Sequence, residues 1–555
     1  MVYLIEAIER AAKETGTVTF LAGAGAGEQQ YSWSQLYEDA ARFAGHLCRR
    51  GVGPGRPLVI LALTSPSAII AALAGWMAGT SVTFAPTPAR TMTPGTYAEE
   101  TRRRLLSLGE PVILVGEPWT SMTGTFAEGG LAAMPLDREL AAAAGSWEPP
   151  LVAEQDTAIL QLTSGTTGGP KTVRISHANL AANVEAIKAA TGHESIHGRM
   201  LSWLPLSHDM GLVGSLVMPL SCGRCDVVLS SPVDYLARPA GWMEQISRHR
   251  ATATVGPSSA YALAARLLAT GPTLDLSSLR CALAGGEPVD PDLMTAFAAA
   301  AARHGFQPGA VVPAYGMAEA TVAVTLSPLG AGLRCDTVDG GQLDQQGKAV
   351  PVPAGPYADT EAEGRKVRRM PLLGPPVPGM ELRIVDLDHG SRLPERQVGE
   401  VQIRGDSVTD GYHRDPGSTD LVFTADGWLR TGDRGYLVAG ELVVTGRLKD
   451  VIILAGRNIY PEEVERAAGR APGVRPGNIV AFPYRRQGPL GGEGLAVAVE
   501  TRFDHHDQIR TDVARHVHDA IGVNPHAVVL LPPGAIPKTP SGKLQRAEAA
   551  RRFTP

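Results

Sequence analysis

Residues able to handle a polyphosphate are concentrated in one stretch, Thr163-Ser-Gly-Thr-Thr-Gly-Gly-Pro-Lys171. Its glycines at 165, 168 and 169 free backbone amides, Thr163, Ser164, Thr166 and Thr167 add hydroxyl donors, and Lys171 closes the run with an ammonium. Every group in such a turn can donate to an anion, which is what a chain of phosphates requires. The pattern is not a Walker A loop, because Pro170 stands where that motif has glycine and no helix opens directly after Lys171. Further polar groups follow apolar runs: His208-Asp209, Gly285-Gly286-Glu287, Ala314-Tyr-Gly-Met-Ala-Glu319 and Trp428-Leu-Arg-Thr-Gly-Asp433. Two cation-bearing segments complete the set, Gly446-Arg-Leu-Lys-Asp450 and Ile536-Pro-Lys-Thr-Pro-Ser-Gly-Lys-Leu-Gln-Arg546. Lysine is otherwise scarce, at 13, 171, 188, 348, 366, 449, 538 and 543, so the lysines inside motifs carry weight.

The elements around these groups read as a layered α/β protein. The loop lies between two strand-like runs, Thr157 to Leu162 and Thr172 to Ser176. A helix is expected from the Tyr31-Ser-Trp-Ser-Gln-Leu segment to about Arg50, then a strand from Pro57 to Ala62, a buried helix from Ala68 to Ala78, and a turn at Gly79 into another strand. That βαβ reading also accounts for the apolar run Ala68 to Ala85, which approaches membrane-spanning length. Gly23 to Gly27 lacks dinucleotide-loop spacing and reads as a hairpin tip. A helix is expected from Ala178 to Ala190. The runs at Leu201, Ala253, Cys281 and Val311 read as strands that stop at Gly, Pro or a carboxylate, where ligands of open α/β sheets collect. Residues 331 to 378 lose periodicity and read as an irregular surface insertion. From Met380 short alternating strands suggest a small β-rich lobe, and a compact α+β segment follows Asp450.

Composition bounds the function. At 555 residues more than one domain is expected. A net charge of −5 gives no basic field to recruit nucleic acid or an anionic membrane. Five cysteines in so long a chain do not make a disulfide framework, and the first residues lack a signal-peptide pattern, so a cytoplasmic location with no membrane span is expected. Cys222-Gly-Arg-Cys225 has metal spacing without a second pair and reads as ordinary thiols. Asp504-His-His-Asp507 and His516-Val-His518 read as solvated faces.

Taken together the motifs resemble the adenylate-forming superfamily of acyl-CoA synthetases, luciferases and non-ribosomal adenylation domains, and within it the fatty acyl-AMP ligases. The resemblance runs from Tyr31 to Arg546. Trp203-Leu-Pro-Leu-Ser-His-Asp-Met-Gly-Leu212 is similar to the ligases' WLPxxHDMGL. Tyr315-Gly-Met-Ala-Glu-Ala-Thr321 matches their YGMAEAT, where synthetases more often have YGxTE. Lys449 stands where Asp is commoner at the hinge, and residues 335–372 are similar to a ligase-type insertion associated with failure to use coenzyme A. Thr172 departs from the glycine usual after the loop lysine.

The resemblance implies a large N-terminal AMP-binding domain, 1–446, made of two doubly wound αβ subdomains plus a small β-barrel-like lobe, and a small mobile α+β lid, 447–555. It implies ATP-dependent activation of a carboxylic acid to acyl-AMP with release of pyrophosphate, with Mg2+ as cofactor, then transfer to the phosphopantetheine thiol of an acyl carrier protein. Transfer to coenzyme A or to a small nitrogen nucleophile are alternatives, and a nucleotide-binding pseudo-enzyme is a third. In this assignment Thr163 to Thr167 and Lys171 hold the β- and γ-phosphates. Gly285, Gly286 and Glu287 face Tyr315 across the adenine, with Ala314, Gly316 and Met317 beside it. Asp433 accepts the ribose hydroxyls, Arg447 adds a contact to ribose or phosphate, and Glu319 binds Mg2+. His208 and Asp209 meet the acid, Lys449 is the hinge, and Lys543 is the catalytic cation bridging carboxylate and α-phosphate. The identity and chain length of the acid are not legible.

Overall fold

The computed structural model describes residues 2–21, 27–87, 94–163, 171–192, 198–352, 367–450, 452–454, 457–485, 493–538 and 544–554. The chain forms two compact units, one of residues 1–333, 373–381 and 403–429, the other of 334–372, 382–402 and 430–555.

The first unit contains two sheets. The larger has eight strands in the order Ala323–Leu326, Val311–Gly316, Cys281–Ala284, Ala253–Gly256, Arg199–Ser202, Asp226–Leu229, Thr17–Leu21, Glu28–Ser32. Its six inner strands run parallel, and the strand at each edge is antiparallel to its neighbour. The smaller has six, in the order Ala132–Pro135, Val112–Val115, Leu58–Leu61, Val82–Phe84, Thr157–Leu162, Thr172–Ser176, with only the last antiparallel. Parallel strands covered by helices on both faces need apolar residues at every position, and Leu58–Leu61 and Val112–Val115 are buried throughout.

Local chemistry explains the boundaries. The helix Trp33–Arg49 opens with a capping box in which the Ser32 hydroxyl accepts from the Gln35 amide and the Gln35 side chain accepts from the Ser32 amide. The helix Pro66–Met77 starts with proline after a capping Ser65 and is buried from Ala68 onward. Gly79, at φ +76°, turns it into the next strand, so the long apolar run is a core βαβ unit. Among the described residues no helix is long and apolar enough to cross a membrane. The helix His177–Thr191 follows Ser176, which caps it with Asn179. Beneath the larger sheet a run of rings fills the core, with Trp242–Tyr261, Tyr261–Phe297 and Phe297–Phe306 centroids 5.0, 4.8 and 5.3 Å apart. The expected hairpin tip at 23–26 lies outside the described residues, but the flanking strands Thr17–Leu21 and Glu28–Ser32 pair as a hairpin.

The second unit corrects one expectation. The stretch read as an irregular insertion contains an antiparallel pair, Cys335–Asp339 with Val367–Pro371, and a helix Gly340–Gln346 capped by Asp339. Its strands bury the charged Asp336 and Arg368 and leave Val367 and Met370 half-buried, so no apolar alternation marks them in the sequence. Arg368 of this segment reaches Asp344 at 2.7 Å and Glu463 at 2.6 Å. The β-rich lobe is a four-stranded sheet in the order Met380–Val385, Gly399–Gly405, Leu429–Val438, Glu441–Arg447, most of whose residues fall in this unit. The strand Leu429–Val438 was not anticipated; it carries the Asp433 motif.

The carboxyl-terminal part is a three-stranded sheet of Val474–Arg485, Glu493–Thr501 and Ala527–Leu531. Strand alternation divides its core. Ile479 and Ala481 pack with Val464, Val513 and Val517 of the helices Pro461–Ala468 and His506–Ile521. Val480 and Phe482, on the other face, pack with Ala549 and Phe553 of the helix Arg546–Phe553.

Candidate active site

The sheet topology brings the polar motifs of the first unit to one sheet edge. Parallel pairing puts the carboxyl ends of Arg199–Ser202, Ala253–Gly256, Cys281–Ala284 and Val311–Gly316 side by side, so the segments at 203–211, 257–259, 285–287 and 314–319 leave the sheet together. A Cβ built on Gly285 would lie 3.4 Å from the Ala314 carbonyl, so the two segments assigned to adenine are in contact. At Gly316 a Cβ would lie 1.8 Å from the Val322 carbonyl oxygen, which excludes any other residue from the bulge that separates Tyr315 from the turn bearing Glu319. The Gln161 side-chain amide donates to the Ser207 carbonyl at 2.7 Å and ties the strand before the polyphosphate-type loop to the 203–211 segment.

That loop is closed at its base. The Thr163 amide and hydroxyl both donate to the Lys171 carbonyl, at 2.9 and 3.0 Å. Ser164, Gly165, Thr166 and Thr167 lie outside the described residues. Lys171 directs its ammonium over the ring of Tyr412, 4.4 Å from the centroid, and the Tyr412 hydroxyl donates to Glu319 Oε1 at 2.8 Å. The two charged residues that the sequence assigns to phosphate and metal are therefore joined through one phenol. Sequence reasoning gave Tyr412 no role. Its signal is Gly411-Tyr412 in a connector whose partners are remote in the chain.

Backbone bonds fix that connector. The Arg174 amide donates to the Gly411 carbonyl at 3.2 Å and the His413 amide to the Thr172 carbonyl at 2.8 Å, extending the loop hairpin by a bridge between Val173 and Tyr412. On its other side the Thr409 amide donates to the Glu319 carbonyl at 2.8 Å and the Thr321 hydroxyl to the Ser407 carbonyl at 2.8 Å. Asn179 donates to the Asp406 and Val408 carbonyls. Burial, and then the Glu319 carboxylate, raise the Tyr412 phenol well above its ordinary range, so it remains a donor. Among the described residues no group of three or more His, Cys, Asp or Glu could hold a metal. The Glu319 carboxylate is a hard oxygen donor, of the type that Mg2+ takes together with phosphate oxygens.

His208 and Asp209 sit where the strand Arg199–Ser202 gives way to a π-helix, Met210–Val217. A π-helix is uncommon and recurs at functional sites. The His208 Nδ1 is 2.5 Å from Asp209 Oδ1, and Asp209 caps the helix by accepting from the Met210 amide at 2.8 Å. Gly286, at φ +79°, faces them: its built Cβ would stand 2.4 Å from Met210 Cε and 4.0 Å from His208 Cε1. Glu287 accepts from the Ser259 amide at 2.7 Å and from its hydroxyl at 3.3 Å. Burial and the nearby Glu287 push the Tyr235 phenol up to about 12, and Tyr235 stacks on Trp203 with centroids 3.7 Å apart.

Within the second unit Asp433 and Arg447 are register partners across antiparallel strands, and the Arg447 Nε is 3.2 Å from Asp433 Oδ1. Asp433 is buried. Lys449 is exposed in the turn that follows. Lys543 lies outside the described residues; Lys538 and Leu544 on either side of its segment form an isolated bridge. Arg546, which the sequence left without a role, reaches Asp450 at 3.0 Å, Glu462 at 3.0 Å and Glu465 at 3.0 and 2.9 Å. Burial, outweighing Arg546, raises the Glu465 carboxyl to about 7.

Comparison with known proteins gives this geometry a family. Residues 8–413 match the family model described as AMP-binding enzyme. A putative ligase of Mycobacterium tuberculosis is 39% identical over 95% of each chain. A medium-chain-fatty-acid–[acyl-carrier-protein] ligase of Moorena producens is 35% identical over 73% of this chain and 69% of its own. A solved structure from work on fatty acyl-adenylate ligases of E. coli and L. pneumophila aligns over 100% of this chain and 98% of its own, with a TM-score of 0.88 and 32% identity. With a family match of that extent and a matching architecture over its whole length, the chain belongs to the AMP-binding enzymes of the adenylate-forming superfamily and is similar to its fatty acyl-AMP ligases.

Proposed function

We propose that this enzyme uses ATP to activate a carboxylic acid and then passes the acyl group to the phosphopantetheine thiol of a carrier protein. A carboxylate oxygen of the acid attacks the α-phosphorus, the bond from that phosphorus to the oxygen bridging to the β-phosphate breaks, and pyrophosphate departs. The thiol then attacks the acyl carbonyl, loses its proton, and AMP leaves. Like charges repel along this path, so oriented donors and cations must offset them. The observation that carries the reading is the pairing of Lys171, at the end of a loop of hydroxyls and glycines, with Glu319 through a single ring.

Roles are assigned accordingly. Thr163, Ser164, Gly165, Thr166, Thr167 and Lys171 hold the β- and γ-phosphates, and Glu319 holds Mg2+, which supplies charge neutralisation on the polyphosphate. Tyr315 stacks on adenine beside Ala314, Gly316 and Met317, against Gly285, Gly286 and Glu287. Asp433 accepts the ribose hydroxyls, Arg447 contacts ribose or phosphate, and His208 and Asp209 orient the acid. Lys543 bridges the acid and the α-phosphate as a compact point charge. Residues 447–555 act as a lid on a 1–446 AMP-binding domain, with Lys449 as the hinge and 335–372 as the segment that disfavours coenzyme A. The similarity to a carrier-protein ligase of Moorena producens supports the choice of acceptor.

The test has two stages. Acid-dependent exchange of pyrophosphate into ATP, screened over short, medium, long and aromatic acids, is expected to respond to at least one acid. No response to any acid would support a binding protein without turnover. With that acid, holo carrier protein is expected to be acylated while coenzyme A is not. Acyl-CoA formed at a comparable rate would replace this reading with a synthetase, and an amide product with an amine would replace it with a nitrogen acceptor.

A further inference from the structure

The reading above assigns Lys171 and Glu319 to one substrate but leaves open what holds them at a working separation. A lysine stem has four rotatable bonds and a glutamate three, so neither keeps a fixed position unaided. Tyr412 restrains both. Its ring lies under the Lys171 ammonium and its hydroxyl is bonded to one oxygen of Glu319. The ring has little freedom of its own: the Tyr412 amide donates to the Thr419 hydroxyl at 2.9 Å, and Gly411 and His413 on either side pair with the hairpin that bears Lys171. Thr409, two residues before Gly411 in the connector, donates its amide to the Glu319 carbonyl. A Cβ on Gly411 would lie 2.4 Å from Thr419 Cγ2, so the chain is close-packed at this point as well.

We propose that Tyr412 is a positioning residue of the nucleotide site, fixing the Glu319 carboxylate through its hydroxyl and the Lys171 ammonium through its ring so that a metal-bound polyphosphate meets both. The proposal rests on the functional reading above. Donation to Oε1 leaves Oε2 for the metal, and it orients a carboxylate as partners of metal ligands generally do; removing such a partner commonly costs 10–100-fold in metal affinity or activity. The ring acts separately, because a cation over an aromatic face is held whether or not the ring carries a hydroxyl.

Two substitutions separate these actions. Tyr412→Phe keeps the ring and removes the donor; Tyr412→Leu removes both. Mn2+ serves as the metal probe, with free Mn2+ followed by electron paramagnetic resonance in the presence of ATP, alongside the Mg2+ dependence of exchange. Tyr412→Phe is expected to weaken Mn2+ binding by about tenfold and to raise half-saturating Mg2+ equally, with the KM for the acid unchanged. Tyr412→Leu is expected to weaken ATP binding measured in EDTA as well, which Tyr412→Phe leaves as it was. In a Glu319→Gln background Tyr412→Phe should produce no further loss of Mn2+, a coupling that a merely structural role would not generate. Equal Mn2+ affinity in the parent and Tyr412→Phe, at matched melting temperature, overturns the proposal. So does an undiminished effect in the Glu319→Gln background. If the parent shows no acid-dependent exchange, the functional reading fails, and the Mn2+ comparison still judges Tyr412 because it requires no turnover.

Discussion

Gly316→Ala is expected to disable the nucleotide site and to destabilise the first unit. The added Cβ would stand 1.8 Å from the Val322 carbonyl oxygen and 2.9 Å from its carbon. A carbon and an oxygen approach to roughly 3.3 Å even in a close C–H···O contact, so the backbone must open by about 1.5 Å. No flexible side chain can absorb that movement, because the obstructing atoms are main chain. Thr321, next to Val322, already sits at φ +68° and is tied to Ser407 through its hydroxyl, and the Val322 amide donates back to Ala320. The displacement therefore passes into the turn Ala318–Ala320, which presents Glu319.

Overpacking of a well-filled site costs about 1–3 kcal/mol, with more when backbone must move. We expect about 3 kcal/mol, which corresponds to a fall in Tm of roughly 4 °C for a unit of this size. A shift of about 1 Å in Glu319 or Tyr315 is expected to lower exchange activity by about 100-fold. Differential scanning calorimetry and acid-dependent pyrophosphate exchange read the two effects. Gly124→Ala is the control: it lies in the exposed helix Thr123–Glu128 with nothing within 4 Å of its built Cβ, and should be neutral or stabilising by up to about 1 kcal/mol. A Gly316→Ala protein that melts with the parent and retains full exchange would refute the reasoning.

Lys543→Ala should lower acyl-AMP formation by orders of magnitude while calorimetric ATP affinity changes little, and unchanged turnover would remove its assigned role. Glu465 gives a pH signature: its folded carboxyl is raised from 4.5 to about 7, so the folded protein holds a proton that the unfolded chain has released. This contribution is complete below pH 4.5 and is lost as pH rises through 7, at up to about 1.4 kcal/mol per pH unit; Glu465→Gln should flatten that part of the stability curve, and an identical slope in both proteins would contradict it. Arg546→Met removes the cation shared by Asp450, Glu462 and Glu465 and should cost about 3–5 kcal/mol in denaturant unfolding.

How far the fold could be read from sequence depended on the distance between partners. The βαβ unit from Leu58 to Phe84 was legible because its signals are local: an apolar strand, an apolar helix and Gly79 to end it, although the helix begins at Pro66 behind the capping Ser65 and not at Ala68. The strand ends that gather the polar motifs were legible for the same reason, since each apolar run stops at its own glycine, proline or carboxylate. The pair Cys335–Asp339 and Val367–Pro371 was not. Its strands are separated by a helix and more chain, charged Asp336 and Arg368 take buried positions, and no tight turn announces them. Leu429–Val438 was not legible because two glycines and three charged residues interrupt it and its burial follows no two-residue period.

Tyr412 marks the same limit within the site. Its two partners are 93 residues away in Glu319 and still farther in Lys171, and what brings them together is a row of main-chain bonds from residues 409–413 to the loop hairpin and to the Glu319 turn. Main-chain bonds leave no signature of residue type, so a sequence can show the lysine and the carboxylate without showing what spaces them. The connector therefore divides its work: backbone amides and carbonyls set position, which almost any residue could supply, and one ring supplies the chemistry. On this argument substitutions at exposed Asp410 should disturb the site far less than substitution of Tyr412, although the Asp410 carboxylate is 2.9 Å from Arg174, because an exposed pair of that kind is worth at most about 1 kcal/mol.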